Sequence, residues 1–157
     1  MAECLIISDG NKNDKYNVLY KQIRSLLDSE SDLIANMANV SSVIHHTFGF
    51  WWTGFYIVKD GQLVLGPFQG PLACTRINYG KGVCGTSWER KMTVIVPDVE
   101  LFPGHIACSS LSRSEIVVPI FRGEDVYAVL DIDSKELSTF DETDKEWLEK
   151  IVAELKY

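Results

Sequence analysis

Residues 115–133 read EIVVPIFRGEDVYAVLDID, two arms rich in β-branched residues on either side of Arg122-Gly123-Glu124-Asp125. Arms of this composition joined by a short polar connection fold back on each other as an antiparallel hairpin. A chain that contains this unit has to build a sheet around it. A second hairpin is expected upstream, where Trp51 to Val58 and Gln62 to Gly66 flank Asp60-Gly61, a dipeptide that readily takes the positive φ angles of a tight turn.

The other strong periodicity is helical. Leu19, Ile23, Leu26 and Leu27 form one stripe, and Leu33, Met37, Val40, Ile44 and Phe48 form the next, so two amphipathic helices open the chain. A third stripe, Trp147, Leu148, Ile151, Val152 and Leu155, closes it behind an acidic first turn of Asp141, Glu142 and Asp144 that suits the positive end of a helix dipole. Between these elements, Pro67 to Arg113 mixes short apolar stretches with glycines and prolines. Thr93 to Val96 reads as one isolated strand there, and the rest is expected to be long loops, where binding and catalytic groups tend to sit. The order helix-helix, strands, helix describes an α+β domain with its helices gathered against one sheet face. One domain, 1–157, is expected, because this length with 46% apolar residues supplies a single sizeable core.

Several function classes are disfavoured at once. A net charge of -7 offers a phosphate backbone little to hold, so no nucleic-acid partner is expected. No apolar run approaches the roughly 18 residues of a membrane span, and Met1 to Gly10 lacks the basic-then-apolar pattern of a leader, so a cytoplasmic location is expected. In a reducing compartment the four cysteines are too few to staple a miniprotein, and read instead as buried, metal-binding or catalytic. Three of them, Cys74, Cys84 and Cys108, fall in the loop-rich middle.

Chemistry-bearing residues also gather at strand ends. Glu115 begins one arm of the downstream hairpin, and Asp131 and Asp133 share a face at the end of the other. In an arbitrary protein such acids more often simply face water. Trp52 and Tyr56 lie four residues apart in a strand, hence on one face, where both can border a cavity. Strand alternation assigns one of Trp51 and Trp52 to the core, and Trp88 and Trp147 are also read as core. Gly80, Gly82 and Gly85 around Cys84 match no phosphate-binding pattern and instead let a tight turn enter a short helix, whose backbone amides suit an anion such as a carboxylate.

From Gly66 the chain reads GPFQGPLACTRINYGKGVCGTSWE, then VPDVELFPGHIACSSLSRSEIVVPI, then VLDIDS followed by FDETD. These ordered blocks, spanning roughly Phe48 to Leu148, resemble the free methionine-(R)-sulfoxide reductases, a catalytic branch of the GAF domains. The resemblance implies a GAF-like fold: a central antiparallel sheet of about six strands with N-terminal and C-terminal helices on one face. It also implies that Cys108 is the attacking thiol, Cys74 its resolving partner and Cys84 an auxiliary thiol, while Cys4 has no counterpart. Glu115, Asp131 and Asp133 then line the substrate pocket, holding the ammonium of a free amino acid and supplying a proton to the sulfoxide oxygen, with Trp52 and Tyr56 as the apolar wall for the S-methyl group.

The chemistry such a family performs needs these residue types. A thiolate attacks sulfur, the oxygen takes up a proton, and a sulfenic acid is left on the enzyme. A second cysteine condenses with it, and an external dithiol reopens the disulfide, which implies a thioredoxin or glutathione system as reductant and no bound cofactor. An ionised thiol needs positive charge nearby. His105, Arg113 and the amides of Ser109 and Ser110 are candidates, although His105 reads better as a loop-stabilising hydrogen bonder and Arg113 as a tie to a carboxylate. The Cys74 loop is expected to be open and mobile when reduced. Family analogy alone implies a homodimer. Two rivals stand against the enzyme: a ligand-binding GAF sensor, disfavoured because no effector domain follows Tyr157, and a structural zinc site of Cys74, Cys84, His105 and Cys108, whose spacing fits zinc poorly.

Overall fold

The computed structural model describes residues 4–156; Met1 to Glu3, where the leader reading begins, and Tyr157, where the effector reading rests, lie outside them. Two helices come first, α1 (Lys12–Asp28) and α2 (Leu33–Phe48). Asn11 caps α1 in a reciprocal arrangement with Asp14, and Asp32 caps α2 by accepting from the amide of Ala35. Gly49, in the left-handed region, ends α2 and turns the chain into the sheet.

The sheet comprises β1 (Trp52–Lys59), β2 (Gln62–Gln69), β3 (Arg76–Asn78), β4 (Val94–Val96), β5 (Ser114–Arg122) and β6 (Asp125–Ser134). They lie in the order β3-β2-β1-β6-β5-β4, every neighbour antiparallel. Both expected hairpins form. Asp60 and Gly61 carry positive φ angles and pair Lys59 with Gln62, while the second turn tightens until Arg122 faces Asp125 across Gly123 and Glu124. A 3-10 turn (Val99–Leu101) and two further helices, α3 (Gly82–Arg90) and α4 (Glu142–Val152), complete the chain. The stretch from Pro67 to Arg113 is thus more structured than a set of loops: it holds the end of β2, all of β3, α3 and β4, and the 3-10 turn.

The sheet separates two apolar clusters. On one face α1, α2 and α4 bury Leu19, Ile23, Met37, Val40, Ile44, Leu148 and Ile151 against Phe55, Ile116, Val118, Leu130 and Ile132. These are the expected stripes, joined by Tyr16, whose hydroxyl donates to the fully buried Asp144 at 2.7 Å. On the other face α3 packs over Trp52, Tyr56, Leu63, Val117 and Val129. A central sheet with terminal helices on one side is therefore present, and α3 occupies the opposite side. Trp88 and Trp147 are half-buried at the margins of these clusters rather than inside them, the latter because its indole N–H reaches out to Asn13. No described helix is long and apolar enough to cross a membrane.

Candidate active site

Register places the acids. Glu115 of β5 pairs with Asp133 of β6, which in turn pairs with Trp52 of β1; one step along, Val117, Asp131 and Gly54 form the next row, and Tyr56 faces Val129 in the row beyond. All point away from the three large helices, because side chains two apart share a face. Gly54 is required there: a Cβ would stand 2.3 Å from that of Phe68 and 2.7 Å from the Trp52 ring. The missing side chain lets Trp52 stack between Tyr56 and Phe68, with ring centres 5.9 and 5.2 Å away.

Above these rows lies a cavity lined by Trp51, Trp52, Tyr56, Cys84, His105, Cys108, Glu115, Asp131 and Asp133, among others. Cys74 and Cys108, 34 residues apart, are joined there by a disulfide with Cα atoms 5.6 Å apart. Three β1-side aromatics hold the cysteine-bearing segments. Trp51 donates to the Ser109 hydroxyl at 3.2 Å, Trp52 to the Pro71 carbonyl at 3.1 Å and Tyr56 to the Cys74 carbonyl at 2.9 Å. The Cys108 segment also rests on the start of α3, where Ile106 packs on Gly82 closely enough that a Cβ would meet it at 3.1 Å. No side chain caps α3 among the described residues, and its first two residues, Gly82 and Val83, line the cavity.

Glu115 and Asp131 are buried with Asp133 half-buried beside them, and the cavity lining contributes no Lys or Arg among the described residues. Burial, reinforced by Asp131 and Asp133, pushes the Glu115 carboxyl well above the usual range; burial and Asp131 do the same to Asp133. Asp131 is raised only to about 6, because hydrogen bonds from Glu115 and Cys84 offset part of the desolvation. Glu115 therefore shares a proton with Asp131, to which it is hydrogen-bonded. Asp133 accepts from the Ser112 hydroxyl at 2.7 Å. The Oδ1 atom of Asp131 has no hydrogen-bond partner among the described residues. Burial and the neighbouring acids raise the Cys84 thiol well above its usual value, so it rests protonated.

Several side chains differ from expectation. His105 is no mere loop stabiliser: its Nε2 lies 3.8 Å from Glu115 Oε2, and burial lowers its pKa, so it faces the acids as neutral imidazole. Arg113 is exposed and ties the loop through its backbone, donating to Ser134 and accepting from Val99, not through a carboxylate. Trp52 is the core member of its pair, as alternation assigns, while Trp51, half-buried just before β1, lines the same cavity with Lys135 3.8 Å above its ring. The tetrahedral set of Cys74, Cys84, His105 and Cys108 is not assembled, since two of its thiols form the disulfide. Ser112 and Trp51 carry no distinctive sequence signal; only the pairing geometry reveals them.

Comparison with known proteins agrees with this architecture. A family model described as GAF domain matches residues 31–155. The GAF domain-containing protein A of Dictyostelium discoideum is 54% identical over 97% of this chain and 97% of its own length. The free methionine-R-sulfoxide reductase of Escherichia coli is 41% identical over 93% of this chain and 89% of its own. The X-ray structure of free methionine-R-sulfoxide reductase from Neisseria meningitidis in complex with its substrate is 49% identical and superposes with a TM-score of 0.95, covering 97% of this chain and 92% of that one. The antiparallel sheet, the helices on both its faces and the cysteine pair above its acid-lined end are those of a protein that belongs to the GAF domain family, in the branch that includes these reductases.

Proposed function

We propose that this protein reduces the R-epimer of free methionine sulfoxide to methionine, with Cys108 as nucleophile and Cys74 as resolving thiol. The observation that carries the reading is the Cys74–Cys108 disulfide at a cavity that also presents Glu115, Asp131 and Asp133. The Cys108 thiolate attacks the sulfoxide sulfur while a protonated acid, Glu115 or Asp133, delivers a proton to the oxygen. The oxygen passes to Cys108 as a sulfenic acid and methionine leaves with the electron pair on its sulfur. The Cys74 thiol then condenses with the sulfenic acid, forming the disulfide and releasing water. An external dithiol of the thioredoxin or glutathione type returns both cysteines to thiols and is itself oxidised to a disulfide.

Substrate selection follows from the same walls. The cluster of Glu115, Asp131 and Asp133 suits an unblocked ammonium, the uncapped start of α3 suits the carboxylate, and the Trp52–Tyr56 stack suits the S-methyl group. A peptide bond at the substrate nitrogen removes that positive charge, so peptide-bound methionine sulfoxide is excluded. Cys84, protonated and hydrogen-bonded to Asp131, is an auxiliary thiol in recycling rather than the first nucleophile. We place the enzyme in the cytoplasm, where its reductants are found, acting as a homodimer.

The test is an assay with separated epimers, free and peptide-bound. Cys108→Ser is expected to abolish reduction of the free R-epimer, and Cys74→Ser to complete about one turnover per chain before stalling as sulfenic acid. Full activity in Cys108→Ser, or equal rates on both epimers, refutes the assignment.

A further inference from the structure

Acids that serve the proposed reaction also stand beside the Cys84 thiol. One oxygen of Cys84's neighbour Asp131, a residue that lines the cavity, has no hydrogen-bond partner among the described residues, in a side chain more than nine-tenths buried. The Cys84 sulfur, a Glu115 oxygen and an Asp131 oxygen lie within 4.8 Å of one another, all three residues buried. His105 approaches the same Glu115 with a ring nitrogen at 3.8 Å.

A thiol, two carboxylates and an imidazole are a ligand set for a borderline-soft divalent ion, and a poor one for magnesium or calcium, which take oxygen donors. With Zn–S of about 2.3 Å and Zn–O of about 2.1 Å, tetrahedral ligands stand roughly 3.5 Å apart. The three buried donors therefore close on an ion by shifts of about an ångström, and the spare Asp131 lone pair gains the partner it lacks. Two buried acids and a half-buried third, with no Lys or Arg in the lining among the described residues, also make the site a well for positive charge.

We propose that Cys84, Glu115 and Asp131, with His105 as fourth donor, form an inhibitory site for zinc-class divalent cations. Binding releases the Cys84 thiol proton and the shared carboxyl proton to solvent and places the ion where the proposed function seats the substrate ammonium. The disulfide is not involved, so the oxidised enzyme binds as well as the reduced one. This rests on the proposed function only for its consequence, competition with substrate; coordination itself is independent of it.

The experiment uses the intact chain with its disulfide formed, so that Cys84 and the exposed Cys4 are the only thiols. Cadmium, a spectroscopic stand-in for zinc, is titrated while its thiolate charge-transfer absorption is followed. Wild type and Cys4→Ser are expected to bind one cadmium per chain, displaced by zinc, and Cys84→Ser to lose the band. Asp131→Asn, nearly isosteric, is expected to weaken binding on the order of tenfold or more, the least that loss of a partner in a coordination network costs. X-ray absorption on cadmium-loaded wild type, which needs no variant to fold, is expected to show one sulfur and otherwise nitrogen or oxygen neighbours. A band that survives Cys84→Ser, a spectrum with no sulfur or with two, or unchanged affinity in Asp131→Asn overturns the proposal. Stoichiometric binding without competitive inhibition overturns the inhibitory role and the seating of the substrate ammonium at this site, separately from coordination itself.

Discussion

Asp131 shows how one side chain carries opposed demands. Its carboxyl titrates near 6 in the folded chain against an ordinary 3.8, chiefly because it is buried. Between those values the native state holds a proton that the unfolded chain has lost, so stability falls as pH rises through this window and stays reduced above it. Asn at this position carries no such cost. Asp131→Asn is expected to melt close to wild type at pH 4 and to gain stability over it by up to about 2–3 kcal/mol by pH 7, while reductase activity drops. Calorimetry across that range checks it; a difference that does not change with pH would mean that the burial of this charge is not what strains the site. The acid cluster was partly legible in the sequence, because Glu115, Asp131 and Asp133 sit at strand ends with the right parity. Its sharing of protons was not, since that depends on β5 and β6 being neighbours in register, and no local pattern reports on pairing.

β1, together with Trp51 just before it, does more for the site than any other element, because these aromatics both wall the cavity and fasten the segments carrying Cys74 and Cys108. The arrangement depends on Gly54, which makes room for Trp52 between Tyr56 and Phe68. Gly54→Ala pushes a methyl group into Phe68 and the Trp52 ring, and is expected to cost about 1–3 kcal/mol of stability, with a weaker substrate KM from the displaced indole. Denaturant melts and steady-state kinetics test both halves, and wild-type values in each would show the strands part without cost. The long elements were readable because their patterns repeat: α1, α2 and α4 each show apolar stripes, and both hairpins have clear turn chemistry. β3 and β4, three residues each, are too short to show alternation. α3 shows no stripe because Gly82 to Ser87 are all buried, so its sequence lacks the polar face that marks a helix lying on a surface.

At the scale of the whole molecule, the far side of the sheet is locked by a polar knot. Lys12 of α1 reaches Asp144 of α4 at 2.6 Å, Tyr16 donates to the same carboxylate at 2.7 Å, and Asp144 also accepts from the backbone of Asp141 to cap α4. Asp144→Ala leaves the buried Tyr16 phenol without its acceptor and Lys12 with only Asp141 and the Thr139 carbonyl, and is expected to destabilise the fold by about 1–3 kcal/mol. Activity per folded molecule should be unchanged, because the cavity lies across the sheet; a specific loss of turnover in samples verified as folded would disprove that independence. The alternation of side chains through β1, β5 and β6 is the reason. Odd and even residues of a single strand answer to different masters, one set to helix packing and the other to chemistry. The sheet acts as a partition wall, so the lining of the chemical room can be refurnished, residue by residue, without disturbing the masonry that keeps the building upright.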